Sequence, residues 1–411
     1  MSFLGKAGGA GRASAVLLRH RMISATAAAA AAVIVAGGAF AATSAHASGQ
    51  ERLVNTGDSK KIAKSAAAPA KPLRLLSVSP AGGTRHANGG APITLRFSSA
   101  LSPATPLPTL SPKIAGSWKV SGETATFTPS SGFLPDTTVR LTIPGGKAGM
   151  RGAAGAADVL ATASTVTFTT GTYSTLRLQQ ILAQLGYLPL TWTPRADGAG
   201  GAGGSAASLN QEVSAAYDPP AGTFTFKSGY PAQLTSQWHV GQDNMLDQGA
   251  VRAFEYNQGL TMDGDAGPQV WARLLAAAAA DKVNPSGYTY ALASQDSPHE
   301  SLKVWHNGKL ILDTLANTGI AAANTQDGTF PVYERLQFQV MKGTNPDGSK
   351  YADPVYWISY FNGGDAVHYF DRASYGYYQS LGCVEIPWTQ AKFIWPYLTY
   401  GTLVTVTGPV A

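Results

Sequence analysis

The residues best suited to chemistry stand near the end of the chain, where the single cysteine, Cys383, occurs in the stretch YQSLGCVEIPW. A cysteine attacks through its thiolate, and its ordinary pKa of about 8.5 means that it needs a base within hydrogen-bond reach. The nearest histidine in sequence is His368, fifteen positions upstream in the run GGDAVHYF. A thiol and an imidazole that share a cleft indicate acyl transfer through a thioester.

The turn that carries the cysteine supplies a further requirement of acyl transfer. Gly382 permits sharp backbone geometry. The backbone N–H groups of Leu381, Gly382 and Cys383 are therefore predicted to converge on one point and stabilise an oxyanion. The competing interpretation is that Cys383 is a buried and inert side chain, as unpaired cysteines often are.

Short β-rich runs must position these two side chains. The run that contains His368 is predicted to be a strand, the turn-rich span after it brings the chain back, and a short helix is predicted in PWTQAKFIWPYLTYG. Five residues beside the pair are predicted to contact substrate: Tyr360, Tyr369, Ser380, Val384 and Glu385. The segment 341–354 lacks periodicity and is predicted to be a loop, either a gate over the site or plain surface.

The N-terminus has the layout of an export signal. Four Lys/Arg residues precede an apolar run, and small residues in A-x-A spacing follow it, which predicts a signal peptide over 1–47. The length of the apolar run leaves a membrane anchor as the alternative. Residues 48–72 are polar and rich in Ala, Pro and Lys, and are predicted to be a flexible linker. We therefore expect an exported, extracellular protein, and the family resemblance given below implies that it is associated with the cell wall.

Charge and metal-ligand spacing exclude two other classes of function. The formal net charge of +6 includes four basic residues in the signal, and without them 26 basic residues face 24 acidic ones. The sequence therefore predicts no nucleic-acid partner. The histidines are scattered without ligand spacing, so the sequence predicts neither a metal site nor any cofactor.

Three patterns resemble known modules. Short alternating runs over 73–171 resemble a bacterial Ig-like β-sandwich, and LQQILAQLGY with AVRAFEYNQGLTMDGDAG over 172–285 resembles a small helical peptidoglycan-binding domain with a long insertion. Residues 286–411 resemble the YkuD-like catalytic domain of L,D-transpeptidases, through NGKLILDTLANTG, His368 and the Ser-x-Gly-Cys turn. The expected fold is multidomain and mainly β.

The family resemblance implies a specific reaction. In L,D-transpeptidases the cysteine attacks a peptidoglycan stem tetrapeptide after its third residue, and an amine of a neighbouring stem resolves the thioester into a 3→3 cross-link. The implied partners are stem peptides, glycan strands for the helical domain, and carbapenems as covalent inhibitors. A cysteine L,D-carboxypeptidase and a non-catalytic wall-binding scaffold remain the alternatives.

Two positions depart from the family pattern. Leu381 replaces the family's histidine before Gly-Cys, and Glu385 replaces its Arg or Asn two positions after the cysteine. Leu381 keeps its backbone N–H, so an oxyanion hole remains compatible with the sequence. Glu385 is expected either to raise the pKa of Cys383 or to hold a substrate ammonium. A carboxylate at a helix start is the structural alternative.

Overall fold

The computed structural model describes residues 72–195, 208–296 and 298–408. The predicted signal peptide, nearly all of the predicted linker and most of the glycine-rich insertion lie outside these ranges. No helix among the described residues has the length and apolar character needed to cross a membrane.

The first module consists of two antiparallel sheets with the strand orders β1-β2-β5-β4 and β3-β6-β7. Strand β6 shows why the sequence folds this way, because Val139, Leu141 and Ile143 are fully buried while the residues between them are exposed. The predicted β-sandwich is confirmed. Its strands are β1 Leu75–Ser79, β2 Ile93–Phe97, β3 Thr109–Ser111, β4 Gly116–Ser121, β5 Thr124–Pro129, β6 Thr138–Ile143 and β7 Ser164–Thr169.

The second module is helical, with one added hairpin. Its elements are α1 Thr175–Gln184, β8 Leu190–Pro194, α2 Leu209–Tyr217, β9 Gly222–Phe226, α3 Ala232–Thr235, α4 Met245–Gln258 and α5 Pro268–Ala279. The apolar faces predicted for α1, α4 and α5 meet in one core, in which Ile181, Phe254 and Leu274 are fully buried. The insertion forms α2, α3 and a strand, β9, that pairs with β8.

The third module is built on two sheets with the orders β12-β11-β10-β20-β14 and β15-β16-β17-β19. Strands β13 and β18 form a small parallel pair. The elements are β10 Thr289–Ser294, β11 Ser301–His306, β12 Lys309–Leu315, β13 Thr318–Gly319, β14 Gly328–Pro331, β15 Glu334–Thr344, β16 Lys350–Asn362, β17 Asp365–Tyr369, β18 Tyr378–Ser380, β19 Val384–Ile386, α6 Trp388–Ile394 and β20 Leu403–Thr407.

The segment 341–354 differs from its prediction. Most of it is strand rather than loop, because β15 and β16 pair in register from Thr344↔Lys350 inward and leave only a tight turn between them. The Asn345 side chain donates to Ser349, which closes that turn. The sequence did not reveal this pairing because residues 341–354 are all exposed or half-buried and lack an apolar alternation.

Candidate active site

His368 and Cys383 are brought together by two parallel strands. Strand β17 carries His368, and Cys383 immediately precedes β19. The register pairs Val367 with Val384 and His368 with Glu385, and both valines point into the same apolar core. Because side chains alternate along strands, His368 lies on the opposite face of β17, together with Ala366, and Cys383 packs in the same small cluster as Ala366. The two candidate residues therefore stand on one side of the sheet, and among the described hydrogen bonds none joins the imidazole to the thiol.

The imidazole of His368 is held in one orientation. Its Nδ1 lies 3.0 Å from the backbone oxygen of Tyr369, and since a carbonyl only accepts, Nδ1 carries the proton. The neutral ring therefore presents Nε2 as its acceptor. The side chain is buried, and this burial lowers the pKa of His368, with smaller influences from the Tyr369 carbonyl, Glu385 and Arg372. A neutral imidazole is the form that can take a proton from a thiol.

The thiol of Cys383 sits in a half-buried cleft. Its Sγ lies 3.8 Å from the backbone oxygen of Gly364, and it packs in a small cluster with Ala366, Tyr360 and Phe370. Burial raises the pKa of Cys383 to about 12, and the charges of Asp365 and Glu385 act in the same direction. The resting sulfur is therefore a neutral thiol, so its proton must leave as the attack begins.

The turn before the cysteine is closed by Ser380. The hydroxyl of Ser380 donates to the backbone oxygen of Cys383 at 2.6 Å and accepts from the N–H of Gly382 at 3.2 Å. This arrangement corrects two expectations. Gly382 N–H is engaged within the turn rather than open to an oxyanion, and Ser380 is buried and holds the turn instead of facing substrate. Among the described hydrogen bonds, none uses the N–H of Leu381 or Cys383.

Gly382 is required by its surroundings. Its φ of +113° is a conformation that side chains rarely adopt, and a Cβ there would lie 2.3 Å from Oδ1 of Asp365. Asp365 is thus a site residue that sequence reasoning missed. Burial raises the pKa of Asp365 to about 6. No sequence signal marks it, because its closeness to Gly382 depends on how β17 and the turn meet.

Glu385 is bound within the protein. Arg372 donates to both of its oxygens, from Nε at 2.7 Å and from Nη2 at 2.8 Å, and Asn317 Nδ2 lies 3.3 Å from Oε2. Arg372 also donates to the backbone oxygen of Gln379 at 2.8 Å. The predicted effect of Glu385 on the pKa of Cys383 has the expected direction but is the smallest cause. A substrate-ammonium role finds no support, because both carboxylate oxygens are already bonded.

The loop between His368 and Cys383 is fastened by the same group of residues. The side-chain oxygen of Asn317 accepts from the N–H of Gly376 at 3.1 Å and from the Gln379 side chain at 3.0 Å. Together with the Arg372–Glu385 pair, these bonds fix the path from β17 to the cysteine turn. Sequence reasoning did not identify Arg372 and Asn317, because their hydrogen-bond partners are either residues far away in the chain or backbone groups.

The remaining predicted contact residues separate into two groups. Val384 is fully buried in the core on the far face of β19, and Tyr369 packs edge-on against Trp388 on the same far side, 5.0 Å between ring centroids. Neither lies on the thiol face, because each is one residue out of phase with His368. Tyr360 packs in the cluster of Cys383, and its hydroxyl donates to Gln339 at 2.6 Å.

Two residues of the neighbouring sheet edge pack against the cluster that includes Cys383. They are Tyr333, which precedes β15, and Met341 of β15, so the β15–β16 hairpin borders this cluster. Burial raises the pKa of Tyr333 and of Tyr351, with a smaller contribution from the charge of Cys383. The described residues hold no group of three or more side chains placed to bind a metal ion.

Comparison with known proteins agrees with this architecture. The bacterial Ig-like domain family matches residues 69–170, and the L,D-transpeptidase catalytic domain family matches residues 289–406. No curated protein sequence matches the chain.

Solved structures with similarity to the chain are remote from it. The LD transpeptidase LdtMt1 in complex with imipenem is 14% identical over 81% of this chain and 98% of its own, with a TM-score of 0.27. L,D-transpeptidase 3 from Mycobacterium tuberculosis in complex with a faropenem-derived adduct is 12% identical over 81% of this chain and 98% of its own, with a TM-score of 0.26.

The catalytic domain of the E. faecium L,D-transpeptidase is similar over a shorter region. It is 27% identical over 29% of this chain and 96% of its own, with a TM-score of 0.27. The assignment rests on the two family matches rather than on these structures. Residues 289–406 are therefore a YkuD-type L,D-transpeptidase catalytic domain, and residues 69–170 are a bacterial Ig-like domain.

Proposed function

We propose that this protein is a cell-wall cysteine acyltransferase that forms 3→3 cross-links between peptidoglycan stems. The observation that supports the proposal is the parallel register of β17 and β19, which brings the strand of His368 beside the strand that follows Cys383, while Cys383 packs with Ala366 of β17. The Tyr369 carbonyl orients that imidazole with Nε2 as its acceptor. The family match of residues 289–406 supports the class of reaction.

In the first half-reaction Cys383 attacks the carbonyl carbon after the third residue of a stem tetrapeptide. His368 Nε2 takes the thiol proton as the S–C bond forms, because burial keeps the resting sulfur protonated. The backbone N–H groups of Leu381 and Cys383 stabilise the oxyanion. The C–N bond then breaks, His368 gives its proton to the leaving D-Ala nitrogen, and a thioester remains.

In the second half-reaction an amine of a neighbouring stem attacks the thioester. His368 accepts a proton from that nitrogen, the C–S bond breaks, and the sulfur recovers a proton to regenerate the thiol. Tyr360 and Met341 of the β15–β16 hairpin pack in the cluster of Cys383 and would limit the access of water. Transfer to an amine rather than to water depends on that exclusion.

Acylation by a carbapenem tests the proposal directly. LdtMt1 was solved with imipenem, and imipenem incubated with this protein should add one covalent mass. We expect the adduct on wild type, none on Cys383→Ala, and one that forms at least about 100-fold more slowly on His368→Ala. A folded wild type that acquires no adduct would support the non-catalytic scaffold instead.

Stem tetrapeptide separates transfer from hydrolysis. Incubation should yield a cross-linked dimer and free D-Ala, detected by mass spectrometry. Free tripeptide without dimer would identify an L,D-carboxypeptidase.

The proposal also implies that the protein works outside the cytoplasm, either tethered to the membrane or released beside the wall. Fractionation of cells that express the full chain would check this location.

A further inference from the structure

Asp365 is a half-buried carboxylate beside the cysteine turn, and the first half-reaction does not use it. The backbone oxygen of Gly364, just before it, lies 3.8 Å from Sγ of Cys383, and Ala366, just after it, packs in the cluster of Cys383. A Cβ on Gly382 would lie 2.3 Å from Oδ1 of Asp365, so this oxygen stands within about 3.8 Å of the Gly382 Cα. The carboxylate therefore adjoins the turn that carries the nucleophile.

No described cation neutralises Asp365. It takes part in none of the described ion pairs, and a bond from the backbone N–H of Gln326 is the favourable influence on its ionised form. Two carboxylates act on the pKa of Cys383, namely Asp365 and Glu385, and Arg372 already binds both oxygens of Glu385. Of these two carboxylates, Asp365 is the one that keeps its capacity to bind a cation.

The charge of Asp365 opposes both the fold and the first half-reaction. Burial raises the pKa of Asp365 to about 6, so its ionised form is destabilising above that pH, and its charge also raises the pKa of Cys383. Active sites retain such unfavourable groups where the reaction uses them. The second half-reaction has a use for this charge, because the amine that resolves the thioester is an ammonium at neutral pH.

We propose that Asp365 binds the primary ammonium group of the acceptor stem beside the thioester and takes the proton that this group must lose before it attacks. This role rests on the proposed function, of which it defines the acceptor side. The free amine adds to the thioester carbonyl carbon, His368 accepts a second proton from the nitrogen, and the C–S bond breaks. His368 returns that proton to the sulfur, and Asp365 releases its own to solvent, so both groups are restored.

Asp365 should therefore have opposite effects on the two half-reactions. The amide of Asp365→Asn keeps the shape of the side chain but can neither attract an ammonium nor take its proton. Transfer to an amine should weaken in this variant, whereas acylation of Cys383 by imipenem should not slow down. A residue that only supports the fold would change both steps in the same direction.

The partition of products after incubation with stem tetrapeptide at pH 8 tests this role. Mass spectrometry measures the ratio of cross-linked dimer to free tripeptide, since an amine and water compete for the same thioester. We expect Asp365→Asn to lower this ratio at least about ten-fold, as for the loss of one charge-assisted hydrogen bond. Asp371→Asn removes an exposed carboxylate just after β17 and should leave the ratio unchanged.

Hydroxylamine provides a matched nucleophile without a positive charge at pH 8. The ratio of hydroxamate to tripeptide should therefore be equal in wild type and Asp365→Asn. An unchanged dimer ratio in Asp365→Asn, or an equal loss with hydroxylamine, would overturn this role of Asp365 while the proposed function stands. A wild type that forms tripeptide without dimer, or no product at all, would overturn the proposed function and this role together.

Discussion

Two carboxylates in different regions of this chain are buried to a similar degree but have opposite electrostatic surroundings. Glu385, beside the cysteine turn, is 4% exposed and receives two charge-assisted hydrogen bonds from Arg372. Asp247, in the helical module, is 1% exposed and receives one bond from a neutral amide, Gln179. No ion pair within the described residues includes Asp247.

The difference shows two ways in which this protein accommodates a buried carboxylate. A buried charge must be compensated, because burial in a low-dielectric interior disfavours it. The catalytic domain supplies its own cation and uses the pair to fasten the loop that joins His368 to Cys383. The helical module holds its carboxylate without a cation, in the first turn of α4 beside Gln179. One carboxylate is paired with a cation, whereas burial raises the pKa of the other.

Removal of Arg372 should have the largest effect on stability. Arg372→Met would leave Glu385 buried without its counter-ion, and we expect a loss of about 3–5 kcal/mol in the free energy of unfolding. Urea denaturation measures it. The double variant Arg372→Met/Glu385→Leu should recover most of that loss, because no unpaired charge remains. A double variant as unstable as the single one would contradict this account.

Asp247→Asn should increase the free energy of unfolding at neutral and alkaline pH, whereas Arg372→Met decreases it. The folded pKa of Asp247, about 7, is raised above the ordinary 3.8, so the folded state binds the proton more tightly. The stability from this group is present below about pH 4 and is lost as the pH rises through 7. We therefore expect the variant to be more stable by about 2–4 kcal/mol at pH 8 and equal to wild type near pH 4.

Thermal unfolding of both proteins across this range measures the difference. Glu255, whose pKa is also raised to about 7 by burial, contributes equally to both curves and cancels. A variant that is less stable than wild type at pH 8 would show that the ionised Asp247 carboxylate makes a stabilising interaction in the folded protein.

Asp365→Asn should alter the chemistry of the site, and because burial raises the pKa of Asp365 above its ordinary value, the variant should also be more stable than wild type above about pH 6. Above its pKa of about 6, Asp365 is negatively charged and helps to raise the pKa of Cys383. The amide keeps the shape without the charge, so imipenem acylation should become about 3–10-fold faster at pH 8 and remain unchanged near pH 5. A pH profile of the acylation rate checks it, and equal enhancement at both values would exclude the electrostatic explanation.

The exposed ion pair Lys303–Asp313 should contribute least to stability among the charged groups compared. Lys303 Nζ lies 3.5 Å from Asp313 Oδ2, and the two side chains are 43% and 52% exposed. Lys303→Met should change the free energy of unfolding by less than about 1 kcal/mol, because water screens the pair. Urea denaturation beside the Arg372 variant measures this contrast. A loss comparable to that of Arg372→Met would mean that burial does not set the strength of these pairs.

Local pattern was enough to predict most elements of the fold. The strand that carries His368, the alternating strands of the Ig-like module and the short helix after Cys383 all follow from periodicity and turn residues. The ends of β15 and β16 next to their turn, within 341–354, were predicted as loop, because these residues are exposed or half-buried and lack the apolar alternation of a half-buried sheet. Tyr369 and Val384 were assigned to the site by closeness in sequence, which does not identify the face of a strand.

The sequence by itself determined which cysteine and histidine are candidates for catalysis and the order of the modules, because single residue types and short-range periodicity carry that information. Only the tertiary structure decided which side chains share the cleft and which partners surround each buried carboxylate. The pairing of Glu385 with Arg372, the approach of Asp365 to Gly382 and the burial of Asp247 beside Gln179 all depend on contacts between separate segments. Such contacts are fixed by strand register and helix packing, which no local pattern encodes.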